Sequence, residues 1–471
     1  MIMEKKSNKI TRREAIKEML YAGIGLAVGG SLLEACGGKG APKGDEAPSI
    51  PWTEAPEGSK IDTRRWDKMG ETLGMLGMGL MRLPTLSSGG SQGFGHRVPL
   101  DQEAVNEMID YAIAHGVNYF DTAPAYGESE RVSGIALSRH PRESYKIATK
   151  MSNMAWGGQT PTLEQAKDMF ENSLKNLQVD YVDFLLLHNV SSVDNYNLRF
   201  RDNGVWEYIL AQKAAGKIKH LGFSFHGSNA DFPGLVDLYD WDFVQIQLNY
   251  VDWKDMPSGF GPSTGKTSAE FLYNHLVGKG IPVLVMEPVK GGALANVSDA
   301  LAGVMREKHP DLTPAGNALT YVGSLPGVMV TLSGMSTLNQ LKENVSLFTG
   351  FKPFNEKDMT FMQTVADLYR SNTHIPCTAC SYCMPCPHGV NIPGNFKVFN
   401  TSSDALMVPD PDNRDKSYKA KKKAFLKLYD DLAYGTKASA CTSCDACLPK
   451  CPQHIRIPQQ LKMISDLVAK L

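Results

Sequence analysis

Four polar side chains whose chemistry fits proton transfer occur where consecutive apolar segments end. They are Asp121, Tyr126, Lys150 and His188. A tyrosine hydroxyl has an ordinary pKa of about 10 and is a poor proton donor in isolation. A neighbouring lysine ammonium favours the tyrosinate and lowers that pKa, while an aspartate holds the lysine charged. A histidine can hydrogen-bond a carbonyl oxygen and set its angle. Each residue alone could be merely solvated or packed, but four together favour a shared site that protonates a carbonyl oxygen as it is reduced.

Eight of the nine cysteines form a second chemical group near the C-terminus. They are Cys377, Cys380, Cys383 and Cys386 in CTACSYCMPCP, and Cys441, Cys444, Cys447 and Cys451 in CTSCDACLPKCP. The second run has the C-x2-C-x2-C-x3-C-P spacing of bacterial ferredoxins, in which the fourth cysteine binds the other cluster.

This spacing predicts two [4Fe–4S] clusters. One is expected on Cys377, Cys380, Cys383 and Cys451, and the other on Cys441, Cys444, Cys447 and Cys386. Structural zinc is the main alternative, because paired C-x2-C units often bind it. Disulfides would suit an exported protein. A third cysteine at the same spacing and a proline after each group favour clusters over both.

The elements that must position the first group alternate between strands and helices. Apolar strands are expected at residues 77–83, 117–121, 145–149, 182–188, 219–224, 243–247, 282–286 and 328–333. Amphipathic helices lie between them, one capped by Asp101 and one with a capping box of Thr162 and Gln165. Eight such units predict a (β/α)8 TIM barrel, whose active sites lie at the carboxyl ends of the strands. An open doubly wound sheet is the alternative, weakened by the absence of a GxGxxG turn after the first strand.

The motifs around these residues resemble the aldo-keto reductases. The strings are YFDTAPAYG from Tyr119 to Gly127, IATK ending at Lys150 and LLLH ending at His188. The resemblance covers roughly residues 70–350. It implies that Tyr126 is the general acid, Lys150 tunes its pKa, Asp121 partners the lysine and His188 orients the carbonyl. From about residue 70 to its end, the chain resembles a subgroup of this family that carries a C-terminal ferredoxin-like extension.

The same resemblance implies a nicotinamide cofactor, NADP or NAD, bound without a Rossmann domain. The matching residues are Ser224, Gln247, Tyr250, Pro288, Gly334, Ser336, Gln340, Glu343 and Asn344. A glycine turn that leads into a helix N-terminus is also a favourable place for phosphate. Relatives that prefer NADPH often carry Arg or Lys here for the 2′-phosphate. This segment has only Lys342, so the choice of nucleotide stays open.

The N-terminus is typical of an export signal. Basic residues precede a short apolar stretch that is too short to span a bilayer easily. TRREAIK resembles a twin-arginine motif, and LLEAC resembles a lipobox that ends at the ninth cysteine, Cys36. We therefore expect an exported protein, periplasmic or anchored to the membrane by lipid on Cys36. The alternative is a basic amphipathic helix with a chance Arg-Arg pair.

These observations predict four parts: a signal over residues 1–36, a flexible linker over 37–65, a barrel over 66–352 and a mostly helical ferredoxin-like domain over 353–471. The formal net charge of −1 gives no indication of nucleic-acid binding. The predicted function is interconversion of a carbonyl or sugar substrate with an alcohol, with a redox partner protein for the clusters. The alternative is an electron-transfer protein whose barrel only docks or senses.

Overall fold

The structure is a computed structural model. It describes residues 52–86, 99–153, 160–256, 267–371, 374–375, 377, 381, 383–411, 414, 416–451 and 455–471. The predicted signal with Cys36, and Cys380 of the first cysteine group, lie outside the described residues. The chain divides into two compact units. One contains Gly44–Asn296 and Asp311–Met362, and the other contains Val297–Pro310 and Gln363–Leu471. The division near residue 362 falls later than the predicted boundary.

The first unit is a closed barrel of eight parallel strands. They are β3 (Leu76–Gly79), β4 (Tyr119–Asp121), β5 (Lys146–Met151), β6 (Val182–Val190), β7 (Ile218–Phe225), β8 (Phe243–Gln247), β9 (Val283–Met286) and β10 (Val328–Ser333). Neighbours follow chain order, and β10 pairs with β3 to close the barrel. The predicted TIM barrel is confirmed, and closure rules out the open sheet.

An antiparallel hairpin precedes the barrel and was not predicted. It pairs β1 (Thr63–Trp66) with β2 (Glu71–Gly74). Its first strand begins inside the stretch expected to be flexible linker, so the linker prediction is wrong for residues 63–65. Apolar packing explains why these residues form a hairpin. Leu73 is fully buried, and Trp66 packs against the core inside the barrel.

Helices alternate with the strands along the chain. They are α1 (Gln102–Ala114), α2 (Ser129–Leu137), α3 (Leu163–Leu177), α4 (Val193–Tyr196), α5 (Val205–Ala214), α6 (Phe232–Val236), α7 (Ala269–Gly278), α8 (Asp299–Lys308, which belongs to the second unit), α9 (Pro314–Gly323) and α10 (Leu338–Phe348). The Asp101 carboxylate accepts from the Ala104 N–H at 3.1 Å, and Thr162 with Gln165 forms the predicted capping box. These side chains satisfy N–H groups that the first helical turn leaves without partners.

Alternation along β7 shows how the strands present side chains to the barrel mouth. Phe223 and Phe225 both contact Phe232 on α6, with ring centres 6.3 and 4.6 Å apart, so they face the helix layer. Because strand side chains alternate between faces, Ser224 and the following His226 are directed to the interior. The interior face of β7 therefore carries polar groups at the carboxyl end of the strand.

The second unit is small and mostly helical. Beyond α11 (Glu356–Ser371), which both units share, it contains α12 (Ile392–Asp404), α13 (Tyr418–Asp430) and α14 (Ile457–Lys470). Its core joins Phe396 and Phe399 of α12 to Phe425 of α13 and Ile464 of α14. Three lysines, Lys419, Lys423 and Lys427, are exposed on α13, so this face of the helix is solvated. Within the described part of the chain, no helix combines the length and apolarity needed to cross a membrane.

Candidate active site and cluster site

A buried ion pair lies at the centre of the predicted catalytic group. The Lys150 ammonium donates to the Asp121 carboxylate at 2.5 Å and to the Thr122 carbonyl oxygen at 2.8 Å. Both charged side chains are nearly inaccessible to solvent, with exposures of 1% and 7%. Parallel pairing of β4 with β5 brings them together. Despite its burial, Lys150 has a raised pKa, because Asp121 and Tyr126 favour its charged form.

Tyr126 is held against this pair by a short 3-10 turn, Pro124–Tyr126, that follows β4. The Lys150 ammonium lies 4.9 Å from the centre of the tyrosine ring. Burial raises the pKa of Tyr126, and Lys150 only partly offsets that rise. The predicted lowering by lysine is therefore real but smaller than the effect of burial, and the expectation of a pKa below the ordinary value is wrong. The phenol stays protonated at neutral pH.

His188, on β6, is the fourth member of the predicted catalytic group. Its ring lies edge-on to the Tyr126 ring, with centres 5.8 Å apart and planes at 88°. Its Nδ1 atom is 2.6 Å from the Ser152 hydroxyl oxygen. Burial, followed by the charges of Lys150, His226 and Arg199, lowers the pKa of His188 well below its ordinary value. The imidazole is therefore neutral at physiological pH. The structure thus brings together all four residues predicted to act on the carbonyl.

The predicted cofactor residues on β7 and β8 differ in their accessibility. Ser224 is buried, and its hydroxyl oxygen accepts from the Asn189 N–H at 2.9 Å. The Gln247 amide donates to the Asp252 carboxylate at 2.8 Å at the end of β8. Tyr250 is fully buried, with its ring centre 6.2 Å from that of Tyr321. Because the Tyr250 ring has no exposed surface, it cannot stack directly on a nicotinamide in this structure.

Most of the remaining predicted cofactor residues share one loop and the first turns of α10. Gly334 and Gln340 are exposed, and the Gln340 side chain accepts from the Ser336 N–H at 2.8 Å. Glu343 accepts from the Thr313 hydroxyl at 2.5 Å. Asn344 is buried and donates to the Ser333 hydroxyl at 3.0 Å. This hydrogen bond ties α10 to the end of β10, where the loop begins. Pro288 is buried just beyond β9.

Lys342, the basic residue considered for a 2′-phosphate, is directed elsewhere. Its ammonium pairs with Glu54 at 2.9 Å and lies 5.5 Å from the centre of the Tyr111 ring. The segment from Gly334 to Asn344 therefore offers no lysine for a 2′-phosphate.

Several polar residues of the barrel mouth were missed by the sequence reasoning. Gln245 is buried and donates to the Asp121 carboxylate at 3.2 Å. Lys290 pairs at 2.7 Å with Asp252, which is fully buried. His226 follows β7, and burial together with Lys150 lowers its pKa to about 4. Strand alternation could have identified Gln245 and His226, since they share a face with Gln247 and Ser224.

In the second unit, four cysteines line one cavity that opens partly to solvent. They are Cys386, Cys441, Cys444 and Cys447. This is the set predicted for one cluster, and it combines a cysteine of the first group with three of the second. Thiols that surround a cavity fit a polynuclear cluster better than a single zinc ion, which needs four ligands converging on one point. Burial and the nearby thiols of Cys441, Cys383 and Cys444 raise the pKa of Cys447 to about 11.

The other predicted set is described only in part. Cys451 is buried in the core of the second unit, and Cys377 and Cys383 pack against that core. None of the described cysteines forms a disulfide. No group of His, Cys, Asp and Glu among the described residues has the arrangement of a single metal-ion site. The ligand sets of both clusters stay predictions.

Comparisons with known proteins agree with this architecture. The Aldo/keto reductase family profile matches residues 76–367, and that of a 4Fe-4S dicluster domain matches residues 376–456. L-galactose dehydrogenase of Arabidopsis thaliana is 26% identical over 333 residues, covering 66% of this chain and 95% of the relative. The uncharacterized oxidoreductase YqkF of Bacillus subtilis is 25% identical over 287 residues, covering 56% and 89%.

Among solved structures, the holo form of aldo-keto reductase AKR11C1 from Bacillus halodurans superimposes with a TM-score of 0.51 at 22% identity. The match covers 65% of this chain and 96% of that one, and it shows the shared fold. Since the first family profile spans more than half of the chain and the barrel is closed as predicted, the chain belongs to the aldo/keto reductase family of oxidoreductases and carries a 4Fe-4S dicluster domain.

Proposed function

We propose that the barrel interconverts a carbonyl and an alcohol, with the substrate oxygen bound between Tyr126 and His188. The observation that carries this proposal is the buried Lys150–Asp121 pair beside the Tyr126 ring, with the His188 ring facing it. A bound nicotinamide supplies or accepts the hydride, and this chain's residues handle the proton. Ser224 and the loop from Gly334 to Gln340 are proposed to hold the nucleotide.

The protonation states define the roles in reduction. Tyr126 is protonated because burial raises its pKa, so its hydroxyl can donate a proton to the oxygen as charge develops there. Neutral His188 can donate from Nε2 to the same oxygen when Ser152 donates to Nδ1. Lys150 stabilises the tyrosinate that remains. In the oxidation direction, the same tyrosinate would accept the proton of the alcohol.

We propose a sugar or a small aldehyde or ketone as the substrate. The name of the similar L-galactose dehydrogenase favours a sugar. For the nucleotide we propose NADH over NADPH. The Gly334–Asn344 segment contains no arginine, and its lysine pairs with Glu54, so nothing in this segment balances a 2′-phosphate.

We propose two [4Fe–4S] clusters in the second unit, with the ligand sets given above. The cavity lined by Cys386, Cys441, Cys444 and Cys447 supports the second set. A hydride carries two electrons, whereas each cluster exchanges one, and the sequence shows no flavin motif to connect them. We therefore assign the clusters to a separate redox partner or to the stability of this unit, without a step between them and the barrel.

We further propose export by the twin-arginine-type signal, with lipid attached to Cys36. An exported reductase would need to carry its nucleotide tightly bound, because free NAD(P)H is scarce outside the cytoplasm. Cell fractionation of the full chain and of a Cys36→Ala variant tests the anchor. Membrane association that persists without Cys36 would contradict it.

The decisive experiment compares wild type with Tyr126→Phe. Anaerobically purified protein is assayed on a panel of aldoses, aldehydes and ketones with NADH and with NADPH. Removing the hydroxyl removes the proton donor, so we expect kcat to fall by about 10²- to 10⁴-fold. Tyr434→Phe is the matched control, because Tyr434 is fully exposed in the other unit. Turnover that survives Tyr126→Phe unchanged would leave the barrel as a docking module.

A further inference from the structure

Arg199 is a buried arginine that the proposed reaction does not use directly. It lies in the five-residue π-helical turn Asn197–Arg201 that follows β6 and α4, and only 2% of its surface is exposed. Within the described residues it forms no salt bridge with a carboxylate. Burial lowers its pKa to about 10, which leaves it charged at neutral pH. A buried charge without a counterion is costly, so the hydrogen bonds that Arg199 makes must offset that cost.

Its donors are directed to backbone carbonyl groups at the ends of two catalytic strands. Nη2 donates to the His188 carbonyl oxygen at 2.6 Å, and Nη1 donates to the Asn189 carbonyl oxygen at 2.8 Å. Nε donates to the Asn153 carbonyl oxygen at 2.7 Å, and the Asn153 amide donates back to the Arg199 carbonyl oxygen. One side chain therefore connects the end of β5, which carries Lys150, to the end of β6, which carries His188.

Arg199 thus binds residues that adjoin both His188 and its hydrogen-bond partner Ser152. Ser152, which contacts His188 Nδ1, is the residue just before Asn153. Asn189, just after His188, has a left-handed backbone with φ of 55°. That conformation is uncommon for a residue with a side chain and persists where its surroundings hold it. Here the Ser224 hydroxyl accepts from the Asn189 N–H, while Arg199 binds the Asn189 carbonyl.

We propose that Arg199 is a positioning residue that locks the His188 imidazole in line with Tyr126 by joining the ends of β5 and β6. Its planar guanidinium suits this role, because it donates in several directions within one plane and a lysine cannot. Direct substrate contact is excluded by its burial. The inference rests on the proposed function for its kinetic consequences, whereas the conformation of His188 can be measured without turnover.

Arg199 also belongs to the charges that act on His188. The groups that face this imidazole are Lys150 from β5, Tyr126 from the turn after β4, His226 from the end of β7 and Arg199 itself. Replacing Arg199 by a neutral residue removes one positive charge from this set. His188 would then be protonated at a higher pH, and activity that needs the neutral ring would begin to fall at a higher pH on the acid side.

The test compares Arg199→Met, which removes charge and donors, with Arg199→Lys, which keeps the charge alone. Arg201→Met is the matched control, from an exposed position in the same turn. We expect kcat to fall at least about tenfold in both Arg199 variants, with the nucleotide Kd within about twofold of wild type. Only Arg199→Met should move the acid limb of the kcat/KM profile to higher pH.

A second measurement is independent of catalysis. Diethyl pyrocarbonate modifies neutral imidazole nitrogen, and mass spectrometry of the His188 peptide against pH follows both the ring's accessibility and its protonation. We expect faster modification in both Arg199 variants than in wild type and the Arg201→Met control. Wild-type rates in both variants, or kcat within twofold of wild type, would overturn the proposal. A wild-type protein that reduces no carbonyl would instead sink the proposed function, while the His188 labelling would still decide this inference.

Discussion

The barrel mouth and the cysteine-rich unit organise their functional groups in opposite ways. In the barrel, protein side chains hold one another: Lys150 is paired with Asp121, and His188 contacts Ser152. In the second unit, Cys444 and three other cysteines line a cavity, and Cys444 is exposed to solvent. Backbone hydrogen bonds between neighbouring strands hold the residues of the barrel site in place. The cysteines of the second unit are the ligands of the proposed clusters, and a metal group bound to a small domain adds to the free energy of its folding.

This difference predicts that each region fails in its own way. Damage to the barrel group should stop proton transfer and leave the iron in place. Damage to a cluster ligand should remove iron and leave carbonyl reduction intact. Each variant below is therefore measured for both activity and iron content.

The largest effect is expected from Lys150→Met. Without the ammonium, nothing offsets the effect of burial on Tyr126, so the pKa of Tyr126 rises further. We expect kcat to fall by about 10²- to 10⁴-fold. The alkaline shift should be most visible in alcohol oxidation, where the tyrosinate is needed, and the kcat profile against pH measures it. Lys146→Met, at the start of the same strand and paired with Glu71, is the control. Equal losses in both variants would indicate general damage to the barrel.

A smaller, stepwise effect is expected from Cys441→Ser. Two clusters correspond to about eight irons per chain, and loss of one ligand set should reduce this to about four. Iron analysis and EPR spectra of the reduced protein measure the change, and kcat for carbonyl reduction should stay within about twofold. Thr442→Ala is the control, because Thr442 is exposed beside Cys441. If iron remained at the wild-type level, Cys441 would not be a cluster ligand.

The smallest effect concerns acid stability of the barrel. His226 has a folded pKa of about 4, below its ordinary value of 6.5, so it is neutral in the folded protein. As pH falls below about 6.5, the unfolded chain takes up a proton that the folded state refuses, and stability is lost toward pH 4. Between pH 7.5 and 5, this contribution is about 2 kcal/mol.

We therefore expect His226→Asn to weaken the fall in unfolding free energy over that pH range by about this amount. Urea denaturation followed by tryptophan fluorescence measures it. His374→Asn, an exposed histidine of the second unit, should leave the barrel transition unchanged. A steeper loss of stability in His226→Asn than in wild type would reverse the sign and contradict the burial of a neutral ring.

The amino-acid sequence by itself determined the two-part architecture and the four residues that meet at the barrel mouth, and it predicts the ligand sets of the clusters. Strand-like segments separated by helical ones predict a barrel, and each catalytic residue ends or follows such a segment. Cysteine spacing predicts which thiols share a cluster, because three ligands within one loop follow from covalent distances alone. These conclusions depend on local periodicity and spacing, which a linear chain carries completely.

Only the tertiary structure decided properties that depend on packing between distant segments. Closure of the barrel brings Gln245 to Asp121, and a turn after β6 sends Arg199 back to the end of β5. Burial reverses the expected direction of the Tyr126 pKa and leaves the Tyr250 ring without exposed surface. The physical reason is that desolvation and side-chain direction are set by neighbours from other elements, and no spacing within one segment encodes those neighbours.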